Sequence, residues 1–134
     1  MAACARMVLA QHERTLSEAD LRQLLGTKLS GTPARNLTAL ASLGFDVQLG
    51  PSNLTRLSDA LAAGLPPIVF LDTGPLGYWP VDCAHVAVVV GIDDTSVYLN
   101  DPFFDATPQK TSLAGFLQAW ASNGHLAAVL RPQP

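Results

Sequence analysis

The chain has few charged residues, few cysteines and no long apolar run. Only 14% of its 134 residues are charged, and eight Lys and Arg stand against eleven Asp and Glu. A formal net charge of −3 gives no basic surface for nucleic acid, and the composition is not that of a disordered acidic tail. Two cysteines, Cys4 and Cys83, do not make a disulfide framework, so the cytoplasm is the expected compartment.

No stretch of the sequence is typical of a membrane helix. The longest apolar run, residues 86–92, is far shorter than the roughly 20 residues that a membrane span requires. The first residues also lack the order of charge, apolar stretch and cleavage site that marks a signal peptide. We therefore expect no membrane segment and a single domain over residues 1–134.

Helical patterns fill the first half of the chain and strand patterns fill most of the second. Four helices are predicted, the first two over residues 2–11 and 17–25 and the next two ending at Gly44 and Gly64. Capping side chains are expected at Ser17, Thr32 and Asn53, and at Ser112 for the last helix. Strands are predicted at residues 45–49, 68–71, 86–92, 96–100 and 126–130, with one helix at 112–121. This order predicts an α+β fold whose helices pack on one side of a mostly antiparallel sheet.

A histidine begins the most apolar strand, and a carboxylate ends the strand that follows it. If residues 93–95 form a three-residue connection, Ile92 pairs with Ser96, and Asp101 falls on the same sheet face as His85, diagonally opposite. A two-residue turn would place the two side chains on opposite faces. The turn therefore decides whether His85 and Asp101 meet.

A carboxylate bound to one imidazole nitrogen fixes the tautomer and leaves the other nitrogen to accept a proton from a nucleophile. The same spacing also fits a solvent-exposed histidine at a strand end and an Asp101 that begins a turn before Pro102. Zinc would accept the same residue types, Cys4, Cys83, His85 and Asp101, but no closely spaced ligand pair lies on a turn. We therefore expect no metal and no cofactor.

Five segments, in order along nearly the whole chain, make the sequence resemble the bacteriocin-processing, double-glycine leader peptidases of the papain-like cysteine peptidase superfamily. They are residues 4–9, 31–37, 85–93, 98–102 and 124–129, of which the histidine strand and the Asn-Asp-Pro segment match most strongly. The resemblance implies a papain-like fold and hydrolysis of a peptide or protein substrate after small residues. It also implies that His85 is the general base and Asp101 its orienting partner.

The resemblance supplies no nucleophile within residues 1–134. In the family, the nucleophilic cysteine opens the first helix in a Cys-Gly-x-x-Cys-type segment, and a glutamine a few residues earlier helps to form the oxyanion hole. Cys4 matches the second cysteine and Met1 the glycine, so the nucleophile position falls one residue before Met1. Cys4 lies about one helical turn, roughly 5–6 Å, away from that position, and Cys83 lies about 7 Å along the strand from His85. Neither cysteine is expected to replace the nucleophile.

Three functions therefore remain open. The first is a thiol peptidase completed by a Cys-Gly segment ahead of Met1, and the second is an inactive pseudo-peptidase that binds a peptide or a partner protein. The third is a related acyl-transfer or amide-hydrolysing enzyme. The loop at residues 74–80, which contains Tyr78 and Trp79, is expected either to wall a peptide cleft or to cover a small satellite core.

Overall fold

The computed structural model describes residues 1–28 and 31–134. Its α-helices are α1 (Ala2–Gln11), α2 (Glu18–Leu25), α3 (Leu54–Ala62) and α4 (Leu113–Ala121), and 3₁₀ helices cover Ala34–Leu43 and Gly74–Leu76. Its strands are β1 (Phe45–Pro51), β2 (Ile68–Asp72), β3 (Ala84–Ile92), β4 (Ser96–Asn100), β5 (Gln109–Ser112) and β6 (Leu126–Pro132). The predicted α+β class is confirmed.

Polar side chains begin three of the helices, as the sequence predicts. Ser17, Asn53 and Ser112 each accept a hydrogen bond from the backbone N–H three residues later, which satisfies one of the free donors at a helix start. The predicted third helix is instead a 3₁₀ helix, in which the hydroxyls of Thr38 and Ser42 donate to carbonyls three residues earlier. Such side-chain bonds compete for the carbonyls that an α-helix would use.

The strands of the described residues form one antiparallel sheet in the order β1-β6-β2-β3-β4-β5. The edge strand β5 is absent from the sequence prediction because its residues are Gln-Lys-Thr-Ser, without the apolar alternation of a half-buried strand. The two central strands, β2 and β3, contain the most apolar segments of the chain. The candidate site lies at the start of β3 and directly after the end of its neighbour β4.

Helices cover both faces of this sheet, so the expectation that they pack on one side is wrong. Helices α1 and α2 pack on the face that contains Ile68, Phe70 and Val88. Helices α3 and α4 pack on the opposite face, which contains Val69 and Leu71. The physical reason is the sequence of β2. Its alternate residues point to opposite faces of the sheet, and the apolar residues on both faces are buried, so helices must pack on each face.

The β3–β4 hairpin differs from the predicted one at its turn, and a β-bulge restores the predicted register further along the strands. Ile92 pairs with Val97 and not with Ser96, because the connection is one residue longer than predicted. The ladder then shifts by one residue at Val90, and Val89 pairs with Leu99. Beyond the bulge the register is the one that the three-residue connection predicts, which directs the residue after β4 to the His85 face.

Candidate active site

The His85 side chain lies at the start of β3 and is hydrogen-bonded to Asp101. Its Nε2 lies 2.7 Å from Asp101 Oδ1. The Asp101 side chain is completely buried, whereas 17% of the His85 side chain is exposed. The structure therefore brings together the two residues that the sequence selects, with the carboxylate inside and one edge of the imidazole towards solvent.

Asp101 accepts three further hydrogen bonds. The Tyr78 hydroxyl and the Trp79 Nε1–H both donate to Oδ2 at 2.9 Å, and the Phe103 N–H donates to Oδ1 at 3.0 Å. Burial, the largest influence, opposes ionisation of Asp101, but the bonds from His85, Trp79 and Phe103 and the charge of His85 together lower its pKa. Asp101 is therefore a buried carboxylate held in its ionised form.

The loop that supplies Tyr78 and Trp79, residues 73–83, is closed on itself by hydrogen bonds at its base. The buried Thr73 hydroxyl donates to the Val81 carbonyl at 2.7 Å and accepts from the Cys83 N–H at 2.9 Å. The Thr73 N–H donates to the Cys83 carbonyl, and the Gly74 N–H donates to Asp82 Oδ1, both at 2.9 Å. The two ends of the loop are thus fixed next to β2 and β3.

Strand β5 and helix α4 hold the same loop from the other side. The buried Thr111 hydroxyl donates to the Leu76 carbonyl at 2.9 Å. At Gly115, a Cβ atom would lie 2.5 Å from the Pro75 carbonyl oxygen, so only glycine permits this approach of helix and loop. The loop that carries Tyr78 and Trp79 is therefore packed against the rest of the domain.

Aromatic rings enclose the His–Asp pair. The Trp79 ring centroid lies 4.6 Å from that of His85 and 4.4 Å from that of Phe103, on which it stacks. Phe104 contacts Tyr78 and Trp79 edge to face. The sequence predicts that this loop either walls a peptide cleft or covers a small satellite core, but it does not reveal the two hydrogen bonds to Asp101. The available signal was the adjacent pair Tyr78-Trp79, whose polar atoms require partners when their rings are buried.

Cys4 belongs to the core beneath α1 and not to the pair. Its side chain is completely buried, and its Sγ–H donates to the Val86 carbonyl at 3.3 Å. Burial raises the pKa of Cys4 to about 12, an effect reinforced by the charge of Asp101 and opposed by the N-terminal ammonium group. Such a thiol is a poor nucleophile because it is rarely ionised.

Cys83 is exposed, and its Sγ lies 3.6 Å from the Thr73 hydroxyl. Within residues 1–28 and 31–134, neither cysteine makes a hydrogen bond with His85, and Nδ1 of His85 makes none with any group. Of the four residues considered as ligands or catalytic groups, the structure therefore unites only His85 and Asp101.

Two further features of the described residues concern metal ions and membranes. Across the described part of the chain, no three side chains of His, Cys, Asp or Glu are grouped so that they could bind a metal ion. The helices found there are all too short or too polar to cross a membrane.

The chain belongs to the peptidase C39 family, whose profile matches residues 1–130. A search of curated proteins gives no significant match.

Two solved structures are similar to the whole domain. A C39-like peptidase from Bacillus anthracis superposes with a TM-score of 0.81 at 18% identity, over 98% of this chain and 88% of that one. The peptidase domain of Streptococcus ComA, a bifunctional ABC transporter involved in quorum sensing, superposes with a TM-score of 0.78 at 26% identity, over 98% and 90% of the two chains. The papain-like fold implied by the sequence resemblance is confirmed.

Proposed function

We propose that this domain is a thiol peptidase of the leader-peptidase type, in which His85 is the general base and Asp101 orients it. The observation that carries the proposal is the 2.7 Å contact between His85 Nε2 and a buried, ionised Asp101. A structural pair at a strand end would not require a carboxylate with four hydrogen bonds, whereas an imidazole that must become positively charged benefits from one.

Nδ1 is the atom of His85 that performs the proton transfers. It accepts the proton of a thiol, and the resulting thiolate attacks the peptide carbonyl carbon, which becomes tetrahedral and negatively charged on oxygen. The imidazolium then gives its proton to the leaving amine as the C–N bond breaks, which leaves an acyl-thioester. Water, deprotonated by His85, hydrolyses the thioester and regenerates the thiol. Asp101 stabilises the imidazolium throughout.

We place the thiol at the N-terminal end of α1, on the residue before Met1 in the family pattern. Met1 is the N-cap of α1, so a cysteine directly ahead of it would lie near the free N–H groups and the positive end of the helix dipole. That environment lowers the pKa of a thiol, in contrast to the surroundings of Cys4.

The substrate class follows from the family. Similarity to the peptidase domain of Streptococcus ComA supports a peptide substrate, and the leader-peptidase resemblance implies small residues, a double glycine above all, before the cleaved bond. We therefore propose a peptide with a Gly-Gly sequence as the substrate to be tested first.

The proposal is tested by a chain extended at its N-terminus with a Gln-containing segment that ends in Cys-Gly, the glycine replacing Met1. This protein should cleave a Gly-Gly peptide directly after the second glycine, as measured by mass spectrometry of the products. Matched variants with His85→Ala, or with the added cysteine replaced by alanine, should not cleave. Cleavage that is equal in all three proteins, or in none of them, would contradict the assignment.

A second candidate, a pseudo-peptidase that binds a peptide without cleaving it, is favoured by one observation. Both cysteines of residues 1–134 are engaged away from His85, Cys4 with Val86 and Cys83 with Thr73. This candidate predicts that the chain binds the Gly-Gly peptide in calorimetry and that the extended chain does not cleave it. The DNA upstream of the start codon also separates the two candidates, because only the peptidase requires an in-frame Gln…Cys-Gly.

A further inference from the structure

We propose that Tyr78 and Trp79 are positioning residues, which fix the orientation of the Asp101 carboxylate and thereby the tautomer of His85. The catalytic consequence of this inference rests on the proposed function, but its structural content does not. The polar atoms of both residues act through Asp101, since their hydrogen bonds end on that carboxylate, and the Trp79 ring also lies against His85.

The two oxygens of Asp101 have separate sets of donors. Oδ1 accepts hydrogen bonds from His85 Nε2 and from the Phe103 N–H. Oδ2 accepts hydrogen bonds from the Tyr78 hydroxyl and from the Trp79 indole N–H, both at 2.9 Å. A carboxylate bound only at Oδ1 could rotate about its Cβ–Cγ bond. Two donors on Oδ2 oppose that rotation and hold Oδ1 towards the imidazole.

The chemistry of the two donors also determines which nitrogen of His85 carries the proton. An indole N–H can only donate. Burial, and then the negative charge of Asp101, raise the pKa of Tyr78 well above its usual range, so its hydroxyl keeps its proton. Asp101 is thus surrounded by donors and must accept from His85 as well. In neutral His85 the proton is therefore on Nε2, and the lone pair on Nδ1 is free to act as a base.

The loop is rigid enough to perform this function. Its base is closed by the hydrogen bonds of Thr73, and its middle is fixed by the Thr111–Leu76 bond and by the close approach of Gly115 to Pro75. The donors are therefore in place before any substrate binds, which is the condition for pre-organised orientation of a catalytic base.

The test uses NMR spectroscopy of the chain as given, with ¹⁵N labels in histidine and ¹³C labels in the aspartate carboxyls. The wild type should show the Nε2–H tautomer and a low-field Nε2–H proton. Tyr78→Phe retains the ring but removes one donor, so the Nε2–H resonance should move upfield, as for a weaker hydrogen bond, and the Asp101 titration midpoint should rise. Trp79→Phe should act in the same direction.

Tyr98→Phe is the matched control, because the Tyr98 hydroxyl donates to Asp93 Oδ2 at the same distance of 2.9 Å. It should leave both signals of the His–Asp pair unchanged. If Tyr78→Phe, folded as judged by its amide spectrum, also leaves both signals unchanged, the positioning role is wrong.

In the extended, active chain, Tyr78→Phe should lower kcat about tenfold with little change in KM, as expected for the loss of one hydrogen bond to a charged group. Tyr98→Phe should lower neither. If the NMR signals of Tyr78→Phe shift but the extended wild type does not cleave, the positioning stands and the proposed peptidase function fails. If the extended wild type cleaves but neither NMR signal of Tyr78→Phe shifts, the proposed peptidase function stands and the positioning role is wrong.

Discussion

Asp101 and Cys4 are both completely buried, yet their surroundings have opposite effects on ionisation. Asp101 accepts four hydrogen bonds, and those from His85, Trp79 and Phe103 lower its pKa against the cost of burial. Cys4 makes one long bond, to the Val86 carbonyl, and burial raises its pKa to about 12. The number and kind of hydrogen bonds, and not burial itself, therefore determine whether a buried acidic group is ionised.

The difference also locates the part of the site that is already assembled. Asp101 and His85 are held by the packed loop and by two strand ends, whereas the Cys4 side chain of α1 is part of the hydrophobic core. Four experiments test this contrast, in order of decreasing expected effect.

Cys4 should be labelled by iodoacetamide at least about a hundredfold more slowly in the native chain than in urea. The reason is that burial shields the thiol from the reagent and raises its pKa to about 12, so that little of it is thiolate. Mass spectrometry of Cys4 and Cys83 peptides after timed labelling measures both rates. Exposed Cys83 is the internal reference, and native labelling of Cys4 as fast as that of Cys83 would remove the contrast.

Asp101→Asn should lower the free energy of unfolding by about 3 kcal/mol, because the Asn amide group would face donors that now bind a carboxylate. Urea unfolding followed by circular dichroism measures the loss. Asp105→Asn is the control, since Asp105 is exposed and makes no side-chain hydrogen bond within residues 1–28 and 31–134. Equal losses in the two variants would mean that the network around Asp101 does not stabilise the fold.

Acidification should reveal the same network with a smaller effect. The pKa of Asp101 is lower in the folded chain than in the unfolded one, so its contribution to stability is complete above the unfolded pKa. That contribution is lost as the pH falls through the folded pKa. Urea unfolding between pH 6 and pH 2 should therefore show a smaller acid-induced loss for Asp101→Asn than for the wild type. Parallel curves would show that the carboxylate is not stabilised by its donors.

The smallest effect is expected at the rim of the pair. Phe103 is 65% exposed but stacks on Trp79. Phe103→Ala should cost about 1 kcal/mol of unfolding free energy and shift the tryptophan fluorescence to longer wavelength. Leu113→Ala, at a half-buried position on α4, is a control for general packing loss and should leave the fluorescence near the wild-type wavelength. No shift in Phe103→Ala would show that the stack does not shield Trp79.

Sequence reasoning located His85 and Asp101 through a partly wrong hairpin. The predicted pairing of Ile92 with Ser96 does not occur, and the bulge at Val90 restores the register that brings the pair together. The bulge lies next to Gly91, and a glycine inside a strand often marks a bulge. The sequence therefore contains a signal for the bulge, but that signal does not show in which direction the register shifts.

Local signals were predicted better than long-range ones. The caps Ser17, Asn53 and Ser112 depend on residues within one helical turn and are found as predicted. The predicted cap Thr32 is wrong, because the third helix is a 3₁₀ helix whose N-cap is Pro33, without a side-chain cap. The bonds from Tyr78 and Trp79 to Asp101 join residues more than twenty positions apart and depend on how loop and sheet pack. The sequence shows that these side chains need partners but not which partners they find.

The central claim, that the His85–Asp101 pair is ready to activate a thiol at the start of α1, is tested most directly by thiol reactivity in the chain extended with Gln…Cys-Gly. At pH 6 the added cysteine should react with iodoacetamide far faster than Cys4 and Cys83 of the same molecule. His85→Ala should abolish that advantage. An added cysteine that reacts no faster than Cys83, or equally fast with and without His85, would contradict the account.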